Sequence, residues 1–160
     1  MFGIDILEER IEKAKRRYPA IKWNCGNAAN MEFPDDEFDM VLESTMFYVI
    51  SDENLASSIA SEMVRVTKPG GFILLIDWRY GLPWEKEFRA VTNRRVKRLF
   101  RVGEKTVIEK TYRGALVPPV GRFISKNLPS MYFLVQRLMP FLVGMRLVIL
   151  RKCNVKKDVL

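Results

Sequence analysis

Apolar positions along this chain switch between two periods, and the switches lay out its elements. Phe2-Gly3-Ile4-Asp5 opens as an extended run. Residues 7–17 follow a helical period: Leu7, Ile11 and Ala14 share a face, with Glu8, Glu9 and Glu12 early and basic residues late, as the helix dipole favours. Pro19 ends that helix, residues 21–25 alternate as a strand, and Gly26 stops them. Residues 39–43 predict a short buried strand. A helix follows over about 53–67, capped by Ser51 or Asp52, with Leu55, Ile59, Met63 and Val66 as its apolar stripe. Lys68-Pro69-Gly70-Gly71 reads as a helix stop that releases a strand over 72–77. Strand and helix alternate throughout, which predicts an α/β fold with a doubly wound, mostly parallel sheet.

The second half has a different grain. Residues 84–101 read as a helix with Phe88, Val91, Val96, Leu99 and Phe100 inward and Arg94, Arg95, Lys97, Arg98 and Arg101 outward. Residues 106–110 and 113–117 suggest extended chain, broken by Pro118-Pro119. A helical region runs to about Met139, and Pro140 separates it from an apolar strand over 145–150. The stretch 131–150 is most simply core, with peripheral membrane contact as the alternative. Gln136, Arg137, Pro140 and Arg146 interrupt it, so no run reaches the roughly twenty apolar residues that a membrane span needs.

Composition narrows the class without naming a reaction. The chain has 160 residues, 48% of them hydrophobic and 29% charged, which predicts one folded domain over 1–160. A formal net charge of +8 favours an anionic partner. Cys25 and Cys153 suit neither a disulfide framework nor a zinc site, so no metal is expected and a reducing cytoplasm fits. Histidine is absent, so any proton transfer falls to a carboxylate, a tyrosine, a lysine or the substrate.

Four motifs in order resemble the class I S-adenosylmethionine-dependent methyltransferases. Gly3-Ile4-Asp5-Ile6 is similar to the end of that family's second strand, where an acidic residue takes both ribose hydroxyls of the cofactor. Gly26-Asn27-Ala28 is similar to its Gly-Asp-Ala turn, which reads the adenine edge. Residues 33–41 resemble the run into its fourth strand, and Val64-Arg65-Val66-Thr67-Lys68-Pro69-Gly70-Gly71 resembles the turn before its fifth. Further stretches (42–47, 77–80, 116–119, 138–142 and 147–150) resemble a bacterial subgroup often associated with cell-surface polysaccharide loci.

The resemblance implies a Rossmann-like fold with an antiparallel C-terminal strand and S-adenosylmethionine as cofactor. It further implies Asp5, Ile6, Asn27, Ala28 and Glu43 as cofactor-binding residues, and a small-molecule or glycan acceptor. Asp77 and Arg79, leaving the fifth strand, are candidates for the acceptor side together with Glu43, with Tyr48 or Tyr80 as hydrogen-bonding helpers. Two departures stand out. Asn27 replaces the usual aspartate, and the family's first strand and glycine-rich loop have no counterpart. The chain is therefore expected to be an N-terminally truncated domain whose strand 2–5 has an open side and whose strand 39–43 lacks a ladder partner. Impaired cofactor binding follows from that reading. The alternative is an inactive module that pairs through its open sheet edge.

Plainer readings stand beside these. Asp5 also suits a cap for the helix after it. Asp35, Asp36 and Glu37 suit a solvated turn better than a metal cluster. The basic run over 94–101 suits a wet helix face, or else contact with an anionic acceptor or acidic headgroups. No nucleic-acid-binding module is evident. A nicotinamide dehydrogenase shares the acidic ribose residue but not the Phe-Pro-Asp-Asp-Glu-Phe-Asp run.

Overall fold

A computed structural model of the chain describes residues 1–81 and 88–154. Strand β1 (Phe2–Asp5), helix α1 (Glu8–Arg17) and strand β2 (Lys22–Cys25) form one right-sized crossover unit. The two strands pair in parallel, Phe2 opposite Lys22 and Asp5 opposite Cys25. Glu8 and Glu9 fill the first turn of α1, and Lys15, Arg16 and Arg17 the last. Ile11 is its buried anchor. Leu7, expected on the buried face, is exposed, because it occupies the cap position in an extended conformation and lies outside the helix.

Strand β3 (Phe38–Ser44), helix α2 (Glu53–Val66) and strand β4 (Thr67–Trp78) form the second parallel crossover. Asp52 caps α2, its Oδ1 accepting from the N–H of Asn54 at 2.8 Å. The buried stripe is Ala56, Ile59, Ala60, Met63, Val64 and Val66, while Leu55 falls outside it. Two alanines let the helix lie close to the sheet. The expected stop at Lys68-Pro69-Gly70-Gly71 is instead an irregularity within β4. The register passes from Phe38 opposite Thr67 to Met40 opposite Phe72, so the extra residues loop out. Gly70 has φ +79, and a Cβ on Gly71 would meet the main-chain oxygens of Asp39 and Lys68 at 2.9 Å.

After β4 come helix α3 (Asn93–Leu99), strand β5 (Thr106–Arg113), helices α4 (Pro118–Asn127) and α5 (Tyr132–Leu138), and strand β6 (Met145–Lys152). The expected helix over 84–101 is shorter. Thr92 caps it, Phe88 to Ala90 are not helical, and residues 82–87 lie outside the described residues. Val91, Val96, Leu99 and Phe100 are buried as expected, but so is Arg95, which was placed on the outer face. The extended segment expected over 113–117 continues β5 less regularly: the N–H of Gly114 donates to the carbonyl of Met145, the carbonyl of Ala115 accepts from Gly144 and Met145, and Leu116 bridges Val143. Pro118 and Pro119 begin α4, where a missing N–H costs nothing.

Strand β6 enters antiparallel between β4 and β5, giving a four-stranded sheet of order β3-β4-β6-β5 beside the two-stranded β1-β2. The sheets are separate. Among the described residues nothing pairs with β1 on its side away from β2, or with β3 on its side away from β4. A cluster of rings from Phe2, Phe33 and Phe38, with centroids 5.0 to 5.7 Å apart, joins them at one end. The main core lies on one face of the larger sheet, where Ile73, Leu75, Val148 and Leu150 meet α2 and α3. Strand β3, expected to be buried, is largely open: Met40 and Leu42 are 57% and 59% exposed, because they point away from that core beside an unpaired edge.

Candidate functional site

Parallel strands that run the same way bring their C-terminal ends to one edge, and in open α/β sheets ligands collect there. Asp5 ends β1, and Asn27 follows β2 by two residues. The register sets Asp5 against Cys25, and the N–H of Gly26 donates to the carbonyl of Asp5 at 2.9 Å. The acidic residue and the amide therefore sit on neighbouring strand ends. Ile6, beside Asp5, is exposed, and Ala28 is half-buried against the main core.

Neither polar side chain is idle. Asp5 Oδ1 accepts from the N–H of Leu7 at 2.9 Å, and its Oδ2 lies 3.6 Å from the Arg10 guanidinium. Helix capping and ligand binding are thus compatible, since a carboxylate has four lone-pair directions. Asn27 Oδ1 accepts from the N–H of Ala29 at 2.9 Å, which shapes the turn and leaves the amide hydrogens for another group.

Glu43, near the end of β3, and Asp77, near the end of β4, point to the same buried face. Glu43 is 6% exposed and Asp77 2%. Burial, reinforced by the Asp77 charge, pushes the Glu43 carboxyl up to about 8, so it is mostly protonated at neutral pH. Its Oε2 accepts from the N–H of Met46 at 3.1 Å, while Oε1 is buried without a hydrogen-bond partner among the described residues. Burial also raises Asp77, to about 6, opposed by main-chain donors and by Arg95.

Asp77 was expected to face an acceptor. Instead Oδ1 accepts from the N–H of Trp78 at 2.7 Å and Oδ2 from the N–H of Tyr48 at 3.0 Å, so this side chain secures the loop after β3. Arg79 leaves β4 half-buried, its guanidinium 4.6 Å from the Tyr80 ring centroid. Tyr48 stacks on Phe88 at 5.0 Å.

Sequence reasoning missed Arg95. Its guanidinium donates to the carbonyls of Phe47 and Ile50, each at 2.8 Å, and of Arg89 at 3.0 Å. Its Nε also lies 3.0 Å from Glu53 Oε1, although not aligned for a hydrogen bond. One buried cation therefore ties the loop after β3 to the segment after β4. The signal was present: Val91, Arg95 and Leu99 are spaced by four, which puts the arginine on the inner face. Arg94, Lys97, Arg98 and Arg101 do lie outside, Arg98 paired with Glu53 and Arg101 with Glu104. The acidic turn is likewise ion-paired, Asp35 with Arg65 and Asp36 with Lys152, each at 2.7 Å.

The donor set fits a nucleoside: a carboxylate for paired hydroxyls, a neighbouring amide for a base edge, and a buried unpaired carboxyl oxygen one sheet away. Two concavities lie elsewhere, one of 430 Å³ around Phe123, Ile124 and Met139, the other of 610 Å³ around Arg65, Lys105 and Lys152. Neither is lined by Asp5, Asn27 or Glu43. The structure thus joins Asp5 with Asn27, and Glu43 with Asp77, and neither of these two concavities takes in all four.

Residues 1–71 match the family described as "Methyltransferase domain". The chain is 30% identical over 148 residues to a fatty-acid O-methyltransferase of Mycolicibacterium smegmatis, covering 88% of this chain and 47% of that one. It is 27% identical over 124 residues to a demethylmenaquinone methyltransferase of Streptomyces avermitilis, covering 78% and 44%. It thus spans about half the length of these curated relatives. Its fold is similar to a solved S-adenosylmethionine-dependent methyltransferase from Methanosarcina mazei, with a TM-score of 0.67 at 17% identity over 97% of this chain and 82% of that one. Motif order, strand order and these comparisons agree: residues 1–71 carry the match to the methyltransferase-domain family, and the chain has the fold of solved S-adenosylmethionine-dependent methyltransferases.

Proposed function

We propose that this chain carries the nucleoside-binding and acceptor-facing part of a bacterial, cytoplasmic methyltransferase that acts on a small, largely apolar acceptor. The observation that carries it is the placement of Asp5 and Asn27 at the ends of adjacent parallel strands, Asp5 opposite Cys25 and Asn27 two residues further on. When bound, S-adenosylmethionine supplies a methyl group on an electrophilic sulfonium. Asp5 holds the ribose hydroxyls, exchanging its exposed contact with Arg10 for them. Asn27 and the main chain of Ala28 meet the adenine edge, and Ile6 offers an apolar surface beside it. Glu43, held neutral by burial, is a hydrogen-bond donor at neutral pH rather than a base. Asp77 and Arg95 shape the loop that closes the acceptor side, and Arg79 with Tyr80 stands at its mouth.

The small apolar acceptor rests on the relatives, whose names specify a fatty acid and demethylmenaquinone. The described glycines supply no phosphate-loop-like approach to the methionine half, so the domain over 1–160 binds its cofactor weakly.

An NMR titration of this chain with adenosine and with S-adenosylhomocysteine tests the reading. Weak, saturable shifts at residues 5–6 and 26–28, abolished by Asp5→Ala, are expected. No shifts at millimolar ligand, or shifts that Asp5→Ala leaves intact, would overturn the site. Micromolar affinity would keep the site and overturn the impairment. A second reading, an inactive module pairing through its sheet edge, is favoured by the unpaired edges of β1 and β3 and the exposed Met40 and Leu42. Concentration-dependent dimerisation abolished by Met40→Lys would support it.

A further inference from the structure

The region over 118–142, which overlaps the stretch 131–150 read as most simply core, concentrates large exposed apolar side chains. Its own core is thin: Leu116, Ile124 and Val143 are buried, with Val120, Tyr132, Val135 and Leu142 packed around them. Outside these, Phe123, Phe133, Leu138 and Phe141 are 63%, 76%, 68% and 65% exposed, and Leu128 and Leu134 nearly half. Soluble surfaces seldom concentrate large apolar side chains this way without a partner.

Charge says which partner. From residue 110 through 152 the sequence contains no aspartate or glutamate. Arg122, Lys126 and Arg137 are exposed within the apolar unit, and among the described residues none of them pairs with a carboxylate. Protruding aromatic and aliphatic side chains among uncompensated cations match a surface with an apolar interior and anionic headgroups. A groove for an apolar protein segment would explain the phenylalanines but not the lack of a single acid.

Position adds a reason. Strand β6 starts where β4 ends, Met145 opposite Trp78, so the chain between β5 and β6 lies at the edge that carries the C-terminal ends of β3 and β4. The unit is tied down there. The N–H of Val117 donates to the carbonyl of Leu142 at 2.8 Å, and Arg113 reaches the carbonyls of Gln136 and Arg137 at 3.3 and 3.4 Å. The cavity lined by Pro119, Phe123, Ile124, Val135, Met139 and Leu142 opens within it.

We infer that the α4–α5 unit is a monotopic docking element that seats the C-terminal strand edge on an anionic bilayer. Phe123, Phe133, Leu138 and Phe141 enter the acyl boundary, and Arg122, Lys126 and Arg137 meet lipid phosphates. This does not rest on methyl transfer: vesicle binding without nucleoside binding would keep this inference and sink the other.

Co-sedimentation of the full chain with vesicles of phosphatidylcholine alone, and of phosphatidylcholine with about one-third phosphatidylglycerol, tests it. Binding to the anionic vesicles should exceed binding to the neutral ones by at least tenfold and weaken as salt rises. Each of Arg122→Ser, Lys126→Ser and Arg137→Ser should lower it about fivefold. Phe133→Ser with Leu138→Ser should reduce it to the neutral-vesicle level while circular dichroism stays unchanged, since both side chains are exposed. Phe72→Ser, on the larger sheet, should leave it intact. Equal binding to both vesicle types, unchanged binding in the variants, or pelleting without vesicles that the same substitutions abolish would overturn it. The last would assign the face to a second copy of the chain.

Discussion

The two sheets of this molecule are held by different means. The four-stranded sheet is covered on one face by α2 and α3, and its loops are fastened by buried ionisable side chains: Glu43 and Asp77 hold N–H groups, while Arg95 holds carbonyls. The two-stranded sheet has α1 alone, with Ile11 as that helix's buried side chain. Yet Asp5 and Asn27 stand on the weaker sheet. The nucleoside half of the proposed site is thus carried by the less stable region, and the acceptor half by the more rigid one. Affinity and loop order should then respond to different substitutions.

The largest effect should come from breaking the rigid side. Arg95→Ala strands three carbonyls and leaves Glu53 and Asp77 without their buried cation, and loss of one partner from such a network costs about 3–5 kcal/mol. Urea unfolding should show that loss as a lower midpoint for the whole larger sheet. Arg98→Ala, on the outer face of α3, should shift it by less than about 1 kcal/mol. Equal effects would mean that Arg95 does not knit the two loops.

Ile11→Ala should act on the other side alone. Truncating a buried isoleucine costs about 2 kcal/mol or more. Among the described residues the ring cluster of Phe2, Phe33 and Phe38 and the loop at 28–31 link the two sheets, which share no strand pairing, so that loss should stay local. Hydrogen exchange should accelerate in β1 and β2 while β4 and β6 keep their protection. Uniform acceleration would show that the sheets unfold as one.

These contrasts also explain what was legible in the chain. Periodicity predicted α2, β4 and β6 because each sets an apolar face against the core, so pattern and packing agree, and it predicted α1 through its one buried anchor, Ile11. It failed at β3, where Met40 and Leu42 look like core residues but flank an unpaired edge. It failed again at Phe133 and Leu138, because an apolar residue reads alike whether it faces core or open surface. Arg95 was misjudged for the opposite reason: residue type outweighed its spacing with Val91 and Leu99. The strand-end motifs put Asp5 and Asn27 at the ends of neighbouring strands, as the structure does, since their turn geometry is local. The loop-holding role of Asp77 was not, because it depends on a main-chain N–H twenty-nine positions away.

Glu43 sharpens the comparison through pH. Its folded-state pKa rises from an ordinary 4.5 to about 8, so the folded chain holds an extra proton between those values and loses stability as pH climbs through them. Glu43→Gln removes that dependence. Thermal midpoints of the variant and wild type should agree near pH 4.5 and diverge with rising pH. By pH 8 the variant should be ahead by about 1–3 kcal/mol. Asp77, raised from 3.8 to about 6, leaves a shallower slope at the acid end in both proteins. A difference that is constant with pH would mean Glu43 is not buried as a neutral acid.

The smallest stability effect should separate the two roles of Asp5. Its ion pair with Arg10 is 3.6 Å long and largely exposed, so Arg10→Ala should change stability by less than about 0.5 kcal/mol. If Asp5 only caps the chain before α1, neither Arg10→Ala nor Asp5→Asn should alter adenosine binding, because both keep the acceptor oxygen for the Leu7 N–H. If Asp5 takes ribose, the two must diverge. Arg10→Ala should leave binding unchanged or modestly tighter by removing a competitor for Oδ2, and Asp5→Asn should weaken it about tenfold, since an amide can accept through only one oxygen. Parallel NMR titrations of the two variants would decide between the roles with the fold intact in both.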